Sequence, residues 1–188
     1  MNGMESIVFM KVGMHASESF EDILVRKNKE FDRAGMSFGG YGGGTMHPIS
    51  KLQPFAKYRI EQGRDVRLVM ELIKSNHSMS AVADEYSEDG ENWKPIPEGI
   101  EVRGSKYALV LNEIVPGDLE VDLTRYVVGI GPSEGKNAGG YIKGRVDKGL
   151  LDYVGPANEV PPRIVKSAYS AKLAQPFGVL LRGERPAR

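Results

Sequence analysis

The chain has 188 residues and a mass of 20.6 kDa, enough for one domain with a single substantial core. Lys+Arg and Asp+Glu number 25 each, so the net charge is zero, and the 40% hydrophobic and 27% charged fractions describe a globular chain. With no cysteine and only 3 histidines, the composition excludes disulfides, thiolate zinc sites, iron–sulfur clusters, a cysteine nucleophile and most His-rich metal sites.

The opening MNGMESIVFMKVG lacks the basic start and apolar core of a signal peptide. No run of about 18 apolar residues occurs. A cytoplasmic protein without a membrane segment is expected. Ser6 to Gly13 is apolar and partly β-branched and reads as a first strand. A helix follows. Ser17 or Ser19 is its N-cap, and Ser19 with Asp22 approximates a capping box. Phe20, Ile23, Leu24 and Phe31 form one stripe, while Arg26, Lys27, Lys29 and Arg33 read as a solvated basic face. Gly35 is the natural stop.

Met36 to Phe38 opens a second strand, and a helix is expected from about Pro54 to Gln62. Asp65 to Ser75 alternates as a strand. SAVADEYS predicts a short strand in a hairpin, with Asp89-Gly90 as the tight point of the following loop. Further strands are expected at IEVRG, at YALVLNEIV, after a break at Pro116-Gly117-Asp118 at LTRYVVGIG, and in the last apolar run before Gly183. Residues 183–188 read as a frayed tail. Helices concentrate early and strands late. This predicts a single α+β domain over residues 1–188, with a mostly antiparallel sheet and one or two N-terminal helices. A short echo, Gln-Pro-Phe at 53–55 and 175–177, is of a length that chance explains.

Two Gly-rich stretches carry the candidate ligand site. In GGYGGGTMH, Gly42, Gly43 and Gly44 can present backbone N–H groups to an anion. Thr45 and His47 can donate to phosphate, and Tyr41 can stack on a base. In GIGPSEGKNAGGYIKGRVDKG, Lys136, Lys143 and Arg145 can neutralise phosphate, with Asn137 and Tyr141 beside them. The plain alternatives are a turned strand connection and a solvated hairpin loop. Neither stretch is a Walker A loop. Trp93 sits in a polar loop and can cap the core, close over a ligand or meet a partner.

The series Lys11-Val12-Gly13-Met14-His15, Glu18-Ser19, Gly40-Tyr41-Gly42-Gly43, His47-Pro48 and Gln53-Pro54-Phe55-Ala56 resembles the opening of uncharacterised bacterial and phage-borne proteins. The likeness covers about the first third of the chain and implies no activity. A broader likeness is to phage proteins that sequester nucleotide-derived immune signals in deep pockets, often at subunit interfaces.

Three readings stay open. The first is a non-enzymatic binder of a small anionic, phosphate-bearing nucleotide-type ligand, with no cofactor and no metal. The second is a phosphodiesterase-type hydrolase using His15, His47 and Glu18. The third is a structural or nucleic-acid-associated interaction module, which zero net charge disfavours. A homo-oligomer is expected, because exposed sheet edges call for a cover.

Overall fold

A computed structural model describes residues 5–15, 19–42, 48–77, 81–103, 105–144, 146–156, 160–183 and 185–186. β1 (Glu5–His15) leads to α1 (Phe20–Ala34). α1 starts as its sequence dictates. Ser19 Oγ accepts from Asp22 N at 3.1 Å, and Asp22 Oδ2 accepts from Ser19 N at 3.1 Å and from Ser19 Oγ at 2.7 Å. These bonds hold the Asp22 carboxyl below its ordinary range. Gly35 ends the helix at φ 71°, in the left-handed region, and donates to Phe31 O at 2.9 Å.

β2 (Ser37–Gly42), α2 (Ile49–Glu61) and β3 (Asp65–His77) follow. α2 begins five residues earlier than Pro54, so this proline lies inside the helix. A proline there forfeits one i→i−4 bond. Burial of Leu52, Phe55 and Ala56 against the sheet offsets that loss. β4 (Ala81–Val82), β5 (Glu85–Ser87) and β6 (Lys94–Pro95) are short, and β5 and β6 form the expected hairpin.

β7 (Tyr107–Asp122) is one long strand that runs through Pro116-Gly117-Asp118, where a break is expected. Two features admit the turn residues. β2 pairs with β7 only up to Leu111, and the β7–β10 register slips between Ser167 and Tyr169, opposite Leu119 and Pro116. A 3-10 turn (Leu123–Arg125), β8 (Tyr126–Val128), α3 (Ala138–Tyr141), β9 (Lys148–Tyr153), β10 (Ile164–Arg182) and β11 (Arg185–Pro186) complete the chain. Ile100 to Arg103 makes only an isolated bridge, Val82 with Arg103, and not the expected strand. The tail is held at Arg185–Pro186 by pairing with Ala81–Val82.

The main sheet runs β2-β7-β10-β3-β1-β9-β8, with the β5–β6 hairpin attached to β10. β1 and β3 are parallel, and the other pairs are antiparallel. The protein is thus α+β. Alternation divides each strand between two faces. From β1, Val8 and Val12 join the cluster that holds α2, while Ile7 and Phe9 join a second cluster under β8 and α3. From β7, Tyr107, Leu109 and Leu111 join the α2 side, while Ala108 and Val110 join a third cluster with Phe38, Ile100 and Val102.

Two ionic clusters pin the helices. In α1, Glu30 is 1% exposed and Lys27 6% exposed. Lys27 is therefore not on the solvated face where its helical position suggests. Glu30 Oε1 accepts from Arg26 Nη1 at 3.2 Å, Lys27 Nζ at 3.2 Å and Glu101 N at 3.0 Å. Its Oε2 accepts from Lys27 Nζ at 3.0 Å and Ser37 Oγ at 2.8 Å. Lys27 also donates to the carbonyls of Phe38 and Glu101. This cluster joins α1, β2 and the 100–103 segment.

In α2, Arg59 grips Asp152 of β9 with two bonds, Nε to Oδ1 at 3.1 Å and Nη2 to Oδ2 at 2.7 Å. Ser6 Oγ adds a bond to Oδ1 at 2.6 Å. Gly129 permits the close approach, since a Cβ there would lie 2.5 Å from Asp152 Oδ2 and 2.8 Å from Phe55 Cε2. Burial by itself would raise the Asp152 carboxyl. The hydrogen bonds from Arg59 and Ser6, with the charges of Arg59 and Arg64, outweigh burial and hold it below its ordinary value.

A depressed carboxyl stabilises the fold above its unfolded pKa, and that stability is lost as pH falls through the folded value. Asp152→Asn is expected to cost about 2 kcal/mol at pH 7, the scale of charged hydrogen bonds. The gap from the native chain should shrink as pH drops below about 4. Urea unfolding of both proteins at neutral and acidic pH checks this, and a pH-independent gap contradicts it.

Candidate functional site

Ser50, Gln53, Pro54 and Lys57 lie on one stripe of α2, at spacings of 3, 1 and 3. They form one wall of a groove of about 940 Å³. The other walls are Glu88 and Asp89, in the turn between β5 and β6, and Gln175, Pro176 and Phe177 of β10. Both copies of the Gln-Pro-Phe echo therefore meet here. In each, glutamine and proline line the groove, and Phe55 and Phe177 belong to one core cluster.

The β10 wall is a distortion of the sheet. Its register with β7 jumps from Leu173↔Leu111 to Gly178↔Leu109, and Phe177 sits at φ 71°, a left-handed conformation that costs a bulky residue about 1–3 kcal/mol. Packing fixes the distortion. A Cβ on Gly178 would lie 3.0 Å from Leu52 Cδ2, so helix and strand touch at this glycine. Gln53 Nε2 donates to Gly178 O at 2.8 Å and to Glu88 O at 3.3 Å, clamping two walls to α2. Its Oε1 is the remaining hydrogen-bonding atom of that amide.

The turn wall is rigid. Asp89 Oδ1 accepts from Ser87 Oγ at 2.9 Å and from the backbone N–H groups of Glu91 and Asn92, each at 2.8 Å. Asn92 Nδ2 donates to Oδ2 at 2.7 Å. These bonds, led by those from Asn92, hold the Asp89 carboxyl far below its usual range and keep it a fixed anion. Trp93 braces the turn, donating from Nε1 to Gly90 O at 3.2 Å, with the Arg182 guanidinium 4.1 Å from its ring centroid. Of the uses open to Trp93, it serves the hairpin.

Gly43, Gly44, Thr45, His47, Arg145 and Glu18 lie outside the described residues. Gly42 ends β2, in register with Tyr107. Tyr41 is 1% exposed and belongs to the core, which corrects its reading as a base-stacking residue. Its hydroxyl donates to Phe9 O at 3.3 Å, its ring packs 5.6 Å from that of Tyr107, and Lys148 Nζ lies 5.3 Å from its centroid. Burial, then Tyr107, Asp147 and Tyr141, push its phenol well up. Burial lowers the Lys148 ammonium.

The described residues of the second stretch form a turn and a short capped helix. Gly131 to Glu134 forms a turn, and Gly135 N bonds Val128 O at 2.8 Å. Asn137 caps α3 through Oδ1, which accepts from Gly139 N at 3.0 Å, while its Nδ2 donates to Thr124 O at 2.8 Å. Tyr141 packs on the second core cluster, and Lys136 and Lys143 are exposed. The expected pair of His15 and His47 involves a residue outside the described ones. The β1–β3 ladder pairs His15 with His77.

Sequence reasoning passes over Ser50, Gln53, Lys57, Glu88, Asp89 and Gln175. The repeated Gln-Pro-Phe is the signal that points to Gln53 and Gln175. Among the described residues, no helix is long and apolar enough to cross a membrane, and no group of three or more His, Asp or Glu is disposed to hold a metal. The chain matches no protein-family model, no curated protein and no solved structure.

Proposed function

We propose that the protein binds a small phosphate-bearing, nucleotide-derived ligand in the groove between α2, the β5–β6 turn and the β10 distortion, and releases it unchanged. The observation that carries this reading is the groove itself. At about 940 Å³ it is within the range of small-molecule sites, and Gln53 and Asp89 in its walls are held by hydrogen bonds within the protein. Lys57 and Ser50 supply a cation and a hydroxyl for a phosphate. Glu88 and Asp89 repel phosphate from the opposite wall, which orients the ligand, and Glu88 accepts sugar hydroxyls. Gln53 Oε1 and the Gln175 amide serve a base edge, and Pro54 and Pro176 offer apolar surface. The likeness to phage proteins extends the proposal to sequestration of a nucleotide immune signal in the cytoplasm. Exposed Leu72, Ile73, Val115 and Ile164 give a second copy of the chain apolar surface to cover.

The test is ligand fate. Protein is incubated with nucleotides, cyclic dinucleotides and ADP-ribose derivatives, filtered, and then heat-denatured. A ligand depleted from the filtrate and recovered intact supports binding. A ligand recovered altered means catalysis, and no depletion removes the proposal. Lys57→Ala should weaken binding by about 10–100-fold, the scale of one charge-assisted bond. Unchanged affinity takes the ligand out of this groove.

A further inference from the structure

We infer that Arg26, Lys29 and Arg33, on the outer face of α1, form an anion site for a short chain of linked phosphates, a di- or triphosphate group. At spacings of 3 and 4 the three residues lie on one helical stripe. They line a cavity of about 380 Å³ whose other side is Gly99 and Glu101. Two of the three side chains are positioned by the protein itself. Arg26 Nη1 donates to Glu101 O at 2.7 Å and to Glu30 Oε1 at 3.2 Å. Arg33 lies along the Gly99 turn, where a Cβ on that glycine, at φ 89°, would fall 3.3 Å from Arg33 Cδ.

Charge selects the ligand. The carboxylates that line the cavity, Asp22 and Glu101, are already engaged. Glu101 Oε1 pairs with Arg103 Nε, and Asp22 Oδ2 accepts from the N–H and the hydroxyl of Ser19 at the start of α1. Behind the cavity, Arg26 and Lys27 share the carboxylate of Glu30. Lys29 and Arg33 are exposed, and among the described residues neither has an ion-pair partner. Cations left unneutralised in a concave surface attract an anion, and guanidinium forks match phosphate oxygens. From Arg26 to Arg33 the helix advances about 10 Å, a span that linked phosphates fill better than a single one. The site shares no residue with the groove and does not rest on the ligand proposed there.

The experiment titrates the full chain with inorganic triphosphate, pyrophosphate and orthophosphate by calorimetry at low salt. Triphosphate should saturate one site per chain, pyrophosphate should bind more weakly and orthophosphate weakest. Affinity for triphosphate should fall as salt is raised, because exposed charges are screened. Lys29→Ala and Arg33→Ala should each weaken triphosphate by at least about tenfold, the scale of one charge-assisted bond. Both side chains are exposed, so the variants keep the fold. Lys57→Ala, in the groove, should bind triphosphate normally. In that variant a nucleoside triphosphate should bind as the free triphosphate does, since no aromatic side chain is among the described residues that line the cavity. Failure to saturate below about millimolar triphosphate overturns the inference. So does undiminished binding by Lys29→Ala and Arg33→Ala. Loss of triphosphate in Lys57→Ala alone also overturns it, and assigns the phosphates to the groove.

Discussion

Glu30→Ala is expected to destabilise the fold by about 3–5 kcal/mol, the cost of leaving a buried charge without its partner. For a domain of this size that is a fall of about 6–20 °C in Tm. The physical cause is specific. Removing the carboxylate takes two bonds from the buried Lys27 ammonium, and leaves the Glu101 N–H and the Ser37 hydroxyl without this acceptor. Thermal melts of Glu30→Ala, Lys27→Met and the double variant check the account. The double variant should lose less than the sum of the singles, because each single variant already removes the bonds between the two side chains. Additive losses would mean that Lys27 and Glu30 act independently.

Phe55→Ala should cost about 3–5 kcal/mol by creating a cavity where α2 seats on the sheet. Phe55 is fully buried, lies under the Arg59 guanidinium at 4.3 Å from ring centroid to Cζ, and packs in the cluster with Leu52, Leu109 and Phe177. Its removal loosens the helix that carries Gln53 and Lys57, so ligand affinity at the groove should fall with stability. Tyr58→Ala is the control. Tyr58 is 54% exposed on the same helix, and its loss should fall within about 0.5 kcal/mol. Equal losses in the two variants, by chemical unfolding, would show that α2 does not anchor through Phe55.

The sequence by itself determined what depends on neighbours along the chain. The Ser19–Asp22 box and Gly35 define α1 because capping uses groups within one turn. Apolar, β-branched runs define β1, β3 and the start of β7, because a strand with one buried face is apolar at every second residue and one buried on both faces is apolar throughout. From these the α+β class follows.

Tertiary structure decided the rest, through contacts between residues distant in the chain. Lys27 follows the basic face in helical periodicity, yet Glu30 and two carbonyls draw it inside. Tyr41 stands among glycines in the sequence, but β2 packing buries its ring. The second Gly-rich stretch, expected as a loop, folds locally into a hydrogen-bonded turn and a capped helix, because backbone groups beside the sheet must find partners. The two Gln-Pro-Phe copies lie 122 residues apart and gain meaning only when α2 settles on β10 at Gly178. A register irregularity of two residues, invisible in composition or periodicity, sets His77 beside His15. Pattern along the chain specifies which elements form, and the way their faces pack specifies which side chains meet.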